Sequence, residues 1–301
     1  MSVEDLRQVV PDPLDEIYPE DEPQYVPEPP KKTWVHKASS ILLNVQKYSA
    51  YGFLGFYGLH TASTVIVPGL GISQATCQDI FEMCRNVYMA PLLEPAMVNL
   101  TAVLHIGAGL ALRLVRMVAR RKKAQKRERD IIIKEEDRDD IGLGGIGTIF
   151  GLGFKKSWIS SNFPSFTPLT FSGYVFTAAL AYHYAKMKLG PVAIDGDSSL
   201  VTLSYVTHYF QQSHLGQVGC WLNYGMLALV SWVSFYHVVS GLFKYRRQFS
   251  LRAKKIAYGV IAFLTGLSVV SMTRMRHWEL EVGFLGKQFA KYLFANYLFV
   301  V

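Results

Sequence analysis

Phe235-Tyr236-His237-Val238-Val239-Ser240-Gly241-Leu242-Phe243-Lys244-Tyr245-Arg246-Arg247 reads as the end of a membrane helix running into a cluster of cations. A similar stretch lies earlier in the chain, Leu104-His105-Ile106-Gly107-Ala108-Gly109-Leu110-Ala111-Leu112-Arg113. Each holds one His in apolar sequence, a Gly four residues later, and then basic residues. Two copies of one pattern point to an internally duplicated membrane protein in which both copies deliver a helix to the same side.

A helix that crosses hydrocarbon needs about 20 mostly apolar residues, and fewer where the bilayer thins. Working outward from the two copies, five stretches fit that length: 48–67, 96–118, 168–186, 221–243 and a shorter one at 256–272. Arg113, Arg116, Arg120, Arg121, Lys122 and Lys123 follow the second, and Lys244, Arg246, Arg247, Arg252, Lys254 and Lys255 follow the fourth. Positive loops stay on the cytosolic side, so the amino tail is expected in the cytosol and the carboxyl end across the membrane. Arg274 and Arg276 then lie on the side that this rule disfavours. The net charge of +8 is concentrated in the two loops, which speaks for orientation and anionic lipid heads before nucleic acid.

The expected fold is all-α: a polytopic membrane helical bundle of about five spans in two internally similar repeats. The first repeat covers 38–119 and the second, with the fifth span, 167–276. A basic cytosolic loop and Gly-rich connector occupy 120–166. The connector, Ile141 to Phe154, lacks the Gly-Lys-Ser/Thr of a phosphate loop. Residues 277–301 read as an amphipathic C-terminal helix on the membrane surface, with Leu285, Phe289, Tyr292 and Leu293 at helical spacings and Lys287 and Lys291 on another side.

Residues 1–37 form an acidic, Pro-rich tail that cannot bury enough apolar surface to offset its chain entropy, so it is expected to be disordered. It has neither the basic and apolar start of a signal peptide nor an Arg-rich presequence pattern, so insertion is expected to rely on the internal spans. Apolar residues sit beside prolines in two places: Leu6 and Val9 before Pro11 and Pro13, and Tyr25 before Pro27 and Pro29. Proline pre-extends the backbone and lowers the ordering cost of binding, so both are candidate partner-binding motifs; a solubilising spacer has the same composition. The three cysteines, Cys77, Cys84 and Cys220, form no CxxC pair, and no metal site is expected. Cys77 and Cys84 could pair in an oxidising space, and the unpaired reading stands equally beside that.

Four of the spans carry one His each. His60 and His183 come late in spans one and three; His105 and His237 come about two turns before the basic boundary in spans two and four. Two His pairs at two depths suit bis-imidazole ligation of haem b, and Gly109 and Gly241 would admit a flat ring or a neighbouring helix. The same histidines could hydrogen-bond across helices or, with Ser63 and Ser240, line a polar path for lipid head groups. No carboxylate or Ser/His constellation marks a catalytic site. Asp195 and Asp197 with His208 and His214 read as solvated loop residues.

Several elements, in this order, resemble a known family. They are Leu59-His60-Thr61-Ala62-Ser63-Thr64, Leu104-His105 with Gly109 and Arg113, Ile141-Gly142-Leu143-Gly144-Gly145-Ile146, Ser172-Gly173-Tyr174 with Tyr182-His183, and Tyr236-His237 with Ser240-Gly241-Leu242 and Tyr245. That family is the fungal mitochondrial outer-membrane adaptors of the Mdm-ten-complementing type. The resemblance implies an outer-membrane protein of about five spans that recruits a bridge-like lipid-transfer protein, of the vacuolar-protein-sorting-thirteen class, through a Pro-x-Pro motif, and that scrambles phospholipids in support of mitochondrial lipid homeostasis. The motif carries onto Pro11 and Pro13, with Leu6 and Val9 upstream; Pro27 and Pro29 with Tyr25 are the second candidate. The membrane domain is also similar, more distantly, to the cytochrome b subunits of succinate dehydrogenase and fumarate reductase. The chain is thus expected to be a non-enzymatic adaptor at a membrane contact site, with no cofactor. The alternative is a haem-binding membrane protein in redox or haem handling, with His60, His105, His183 and His237 as ligands.

Overall fold

Prolines shape the far ends of the membrane helices, where "far" denotes the side opposite the basic loops. The computed structural model describes residues 34–124 and 167–294, and no strand occurs among them. The candidate motif residues Leu6, Val9, Pro11, Pro13, Tyr25, Pro27 and Pro29, and most of the 120–166 loop, lie outside the described residues.

Helix α1 spans Trp34–Thr61 and continues through a wide π-type turn, Ala62–Ile66, into a last turn, Val67–Gly69. Pro68 has no N–H to give to the carbonyl of Thr64, which widens the helix just before it. The orphaned Thr64 carbonyl is satisfied from outside, by Ser271 Oγ at 2.9 Å. Gly71, at φ +89°, then turns the chain. Helix α2, Gln74–Tyr88, starts where Ser73 Oγ accepts from the Thr76 N–H at 3.3 Å. A second wide turn, Glu94–Leu100, contains Pro95 and leads into α3, Thr101–Ala124.

The second repeat restates this plan. Helix α4, Pro168–Tyr184, begins with Thr167 as its cap and proline in its first turn. It widens at Ala185–Leu189, just ahead of Pro191, and ends in the short α5, Gly190–Asp195. Then come α6, Leu203–Gln211; α7, Gly216–Tyr245; α8, Leu251–Arg276; and α9, Gly283–Phe294. The all-α membrane fold read from the sequence is the fold observed.

Among the described residues, three helical segments are long and apolar enough to cross a membrane on their own: Glu94–Ala119, Gly216–Tyr245 and Leu251–Arg276. α1 is diluted by Ser, Asn, Gln and Tyr, and α4 stops at Tyr184 before its wide turn. Each runs beside one of the three, α1 along α3 and α4 along α7. α8 packs on α7 and on the widened end of α1.

The largest buried core lies at the far end. Cys77 and Phe81 of α2, Leu203, Tyr205, Tyr209 and Phe210 of α6, Met272 and Met275 of α8, and Phe289, Tyr292 and Leu293 of α9 form one cluster. The stretches read from the sequence as loops are therefore helices with buried faces. The apolar side of α9 does not rest on lipid: Phe289 is 0% exposed and Tyr292 1%. Asp195 ties the same helix down, accepting from Gln288 Nε2 at 2.5 Å and from the Tyr292 hydroxyl. His208 is likewise buried against Phe289 and is not a solvated loop residue.

The two cations on the disfavoured side have dedicated partners. Arg274 donates to the carbonyls of Pro68 and Ile72, capping the end of α1, and the Arg276 guanidinium lies 4.1 Å from the centroid of the Trp221 ring. The three cysteines are free. Cys77 and Cys84 sit two turns apart on α2, about 10 Å along its axis, beyond the roughly 7 Å that a disulfide tolerates between Cα atoms.

Candidate functional site

The two helix hairpins, α1 with α3 and α4 with α7, face one another without close backbone packing between them. Long side chains bridge the gap. Arg113 of α3 reaches the Tyr174 hydroxyl of α4 at 3.3 Å, and Tyr184 of α4 donates to Asn99 in the wide turn ahead of α3 at 3.4 Å. At the far end Lys188 pairs with Glu94 at 2.7 Å. Between α1 and α7, Tyr57 and Ser234 share a hydrogen bond at 2.9 Å, and the Tyr51 and Tyr245 rings meet edge to face. Around the bundle the order is thus α1, α3, α4, α7, and back to α1.

In that order α1 stands diagonally across from α4, and α3 from α7. The four histidines occupy both diagonals. His60 of α1 and His183 of α4 have ring centroids 6.1 Å apart, and so do His105 of α3 and His237 of α7. All four are half-buried. They therefore face the bundle axis at two depths, one pair toward the basic loops and one toward the far end.

The two pairs are held differently. His105 Nδ1 meets the Gln46 carbonyl oxygen at 2.9 Å, and His237 Nδ1 meets Ser172 Oγ at 3.2 Å. Both partners come from the neighbouring helix, so each ring is fixed from outside the pair. His60 stacks near-parallel on Phe56, with Tyr88 edge-on and its hydroxyl at 3.5 Å from Nδ1. His183 Nδ1 is buried with no hydrogen-bond partner among the described residues. No group of three or more His, Cys, Asp and Glu side chains able to hold a metal ion occurs among the described residues.

Glycines clear space around the second pair. A methyl on Gly173 would stand 3.0 Å from His237 Cε1, so the absence of a side chain there is what lets the imidazole lie against α4. Gly241 faces open space, and Gly109 faces only the mobile end of Gln46. Ser63 is fully buried and bonds back to the Leu59 carbonyl of its own helix at 3.0 Å, so it lines no path. Ser240 is buried too, its hydroxyl without a partner among the described residues.

Sequence reasoning missed Gln46 and Ser172, whose roles depend on helix pairing, and Lys186, 3% exposed beside His183. A signal for the repeat was present and unread: His60 precedes Pro68, and His183 precedes Pro191, by the same eight residues.

The family described as MDM10-complementing protein 1, transmembrane domain, matches residues 55–158 and 178–286. The chain is similar to the mitochondrial adapter protein MCP1 of Saccharomyces cerevisiae, 28% identical over 239 residues that cover 78% of this chain and 74% of the yeast protein. No solved structure matches.

Proposed function

The chain belongs to the MDM10-complementing protein 1 transmembrane-domain family, and on that premise we propose that it is an adaptor of the mitochondrial outer membrane that docks a bridge-like lipid-transfer protein and equilibrates the lipids it delivers. The observation that carries this reading is the family match across both repeats, joined by the likeness to the yeast mitochondrial adapter protein.

The tail supplies the docking motif on the cytosolic side. Proline pre-extends the backbone, so a motif built on Pro11 and Pro13 would lose little chain entropy on binding, and Leu6 and Val9 offer apolar contacts. Pro27 and Pro29 with Tyr25 are the second candidate. The loosely packed diagonal of the bundle, lined by half-buried histidines, lowers the cost of carrying a polar head group through hydrocarbon. The basic loops hold anionic lipid at its mouth.

Tagged full-length protein is expected to capture the lipid-transfer protein from cell extract, and Pro11→Ala/Pro13→Ala to lose it. Equal capture by both moves the site to Pro27 and Pro29, and no capture by either removes the adaptor reading. Reconstituted in vesicles, the protein is expected to expose inner-leaflet labelled lipid to an external quencher. A sealed inner leaflet would leave a tether that moves no lipid.

A further inference from the structure

A phospholipid cannot pass wholly inside a bundle of four helices. Its tails must trail in hydrocarbon while the head group travels between polar side chains, so one side of the bundle has to part. We propose that the α3–α4 seam is the lateral slot for zwitterionic head groups, and that Glu94 and Lys188 bind them at its far end. The slot serves the lipid movement proposed above and depends on it.

Three sides of the bundle are closed. α1 lies along α3, and α4 along α7, as close-packed hairpins. The α1–α7 side is covered by α8, which packs on α7 and holds the widened end of α1 through Ser271 on the Thr64 carbonyl. No helix among the described residues packs closely on both α3 and α4.

What spans the fourth side is a ladder of polar side chains. Arg113 and Tyr174 meet at the basic end, Tyr184 and Asn99 deeper in, and Lys188 and Glu94 at the far end. Such bridges swing aside by side-chain rotation, without unpacking a helix. By helical rise Glu94 and Arg113 stand about 28 Å apart, and Tyr174 and Lys188 about 21 Å. The rungs thus run through most of a hydrocarbon layer of about 30 Å. Asn99 is exposed although it belongs to a segment apolar enough to cross the membrane. A polar group facing hydrocarbon is costly unless a polar partner visits it.

The far-end pair decides the class of head group. Glu94 opens the wide turn ahead of α3, and Lys188 lies in the wide turn beyond α4. Turns of this π type are frequent at functional sites. The two side chains meet at 2.7 Å and are only 20% and 21% exposed, so neither charge is left to water when the pair parts. A zwitterionic head group carries a phosphate for Lys188 and an ammonium for Glu94, and the exchange leaves no charge unmatched. An anionic head group without an ammonium strands Glu94, which is the costly case for a poorly hydrated charge. Meanwhile Arg85 of α2 donates to the Ser199 carbonyl at 2.7 Å and keeps the two repeats joined.

Full-length protein is reconstituted in vesicles with tail-labelled phosphatidylcholine or phosphatidylglycerol, and an external quencher reads movement out of the inner leaflet. In a Cys77→Ala/Cys84→Ala/Cys220→Ala background, Asn99→Cys/Tyr184→Cys is joined by a short bis-methanethiosulfonate linker. Movement is expected to fall to the rate of protein-free vesicles and to return with dithiothreitol. The same linker on Tyr57→Cys/Ser234→Cys, across α1–α7, is expected to leave it. Where the first pair is inactive before linking, Arg113→Cys/Tyr174→Cys takes its place. In the natural background, Glu94→Gln is expected to shift the choline-to-glycerol rate ratio severalfold toward phosphatidylglycerol, and Lys188→Gln to shift it the other way. Glu94→Lys/Lys188→Glu brings the ratio back, which a variant that is merely misfolded would not do. Movement that persists with α3 linked to α4, or stops with α1 linked to α7, overturns the slot. One ratio shared by wild type and both single variants overturns the binding role of the pair. A wild-type protein that moves neither lipid overturns the lipid-equilibrating function itself, and the slot with it.

Discussion

Ser271 Oγ donates to the carbonyl oxygen of Thr64 at 2.9 Å, taking the place of the N–H that Pro68 cannot supply. One hydroxyl on α8 thereby repairs the break that proline makes in α1, and Arg274, a turn further on, caps the two carbonyls beyond it. The end of the first helix is completed by a helix some two hundred residues later.

Ser271→Ala leaves that carbonyl buried without a donor and is expected to destabilise the protein by about 1–2 kcal/mol. Arg274→Met removes two charge-assisted bonds and is expected to cost about 2–3 kcal/mol. Thermal unfolding in detergent, followed by circular dichroism, measures both. Equal melting temperatures for wild type and Arg274→Met would mean that the cap carries no weight.

Close approach of the same two helices gives a pair of opposite predictions. A methyl on Gly69 would lie 2.6 Å from Leu267 Cδ1 and 3.1 Å from the Leu267 carbonyl oxygen, so Gly69→Ala is expected to destabilise by about 1–3 kcal/mol. Gly58 has nothing within 4 Å of that position, and Gly58→Ala, in the last turn of α1 before it continues into the wide turn, is expected to stabilise by about 0.5–1 kcal/mol. The same unfolding assay separates them.

Burial of the α9 face makes a third prediction. Phe289 is fully enclosed by Tyr205, His208 and Tyr292, so Phe289→Ala is expected to cost about 3–5 kcal/mol and to release the C-terminal helix to limited proteolysis. A helix lying on lipid would show no such loss in detergent. The unchanged cleavage pattern of Lys287→Gln, on the polar side, serves as the control.

His208 supplies a pH dependence. Burial holds its imidazole below the ordinary value of 6.5, against the opposing pull of the Gln212 side chain and of Glu281. The folded layer keeps it neutral, whereas the unfolded chain takes up a proton below 6.5. Its contribution to stability is complete above that pH and is lost progressively as the pH falls from there toward the folded value. The melting temperature is expected to drop between about pH 7.5 and about pH 5.5, and His208→Gln to flatten part of that drop. An identical slope in the variant would assign the dependence elsewhere.

What could be read from the sequence follows from what is local. The membrane helices and the depths of His60, His105, His183 and His237 come from apolar runs bounded by Lys and Arg, a pattern that each segment carries by itself. The far-end layer was illegible because no one segment contains it. Cys77 and Phe81, Leu203 to Phe210, Met272 and Met275, and Phe289 to Leu293 are short pieces of mixed polarity that become a core only when brought together. Gln46 and Ser172 escaped notice for a related reason. A carbonyl and a hydroxyl become anchors for an imidazole only once the neighbouring helix is known. Arg274 and Arg276 broke the charge rule because they cap carbonyls and cover an aromatic ring.

The far-end layer also sets an order of events in biogenesis. Its core draws on α2, α6, the end of α8 and α9, pieces that α3, α4, α7 and the body of α8 separate along the chain. None can bury its aromatics until the others are in place, and α9 is the last described helix in the chain. A ribosome-bound or truncated chain can thus pair α1 with α3, yet must expose its far-end aromatics until synthesis is finished. Completion of the helical bundle and burial of this core are one event, so a finished molecule differs from an unfinished one at a single surface.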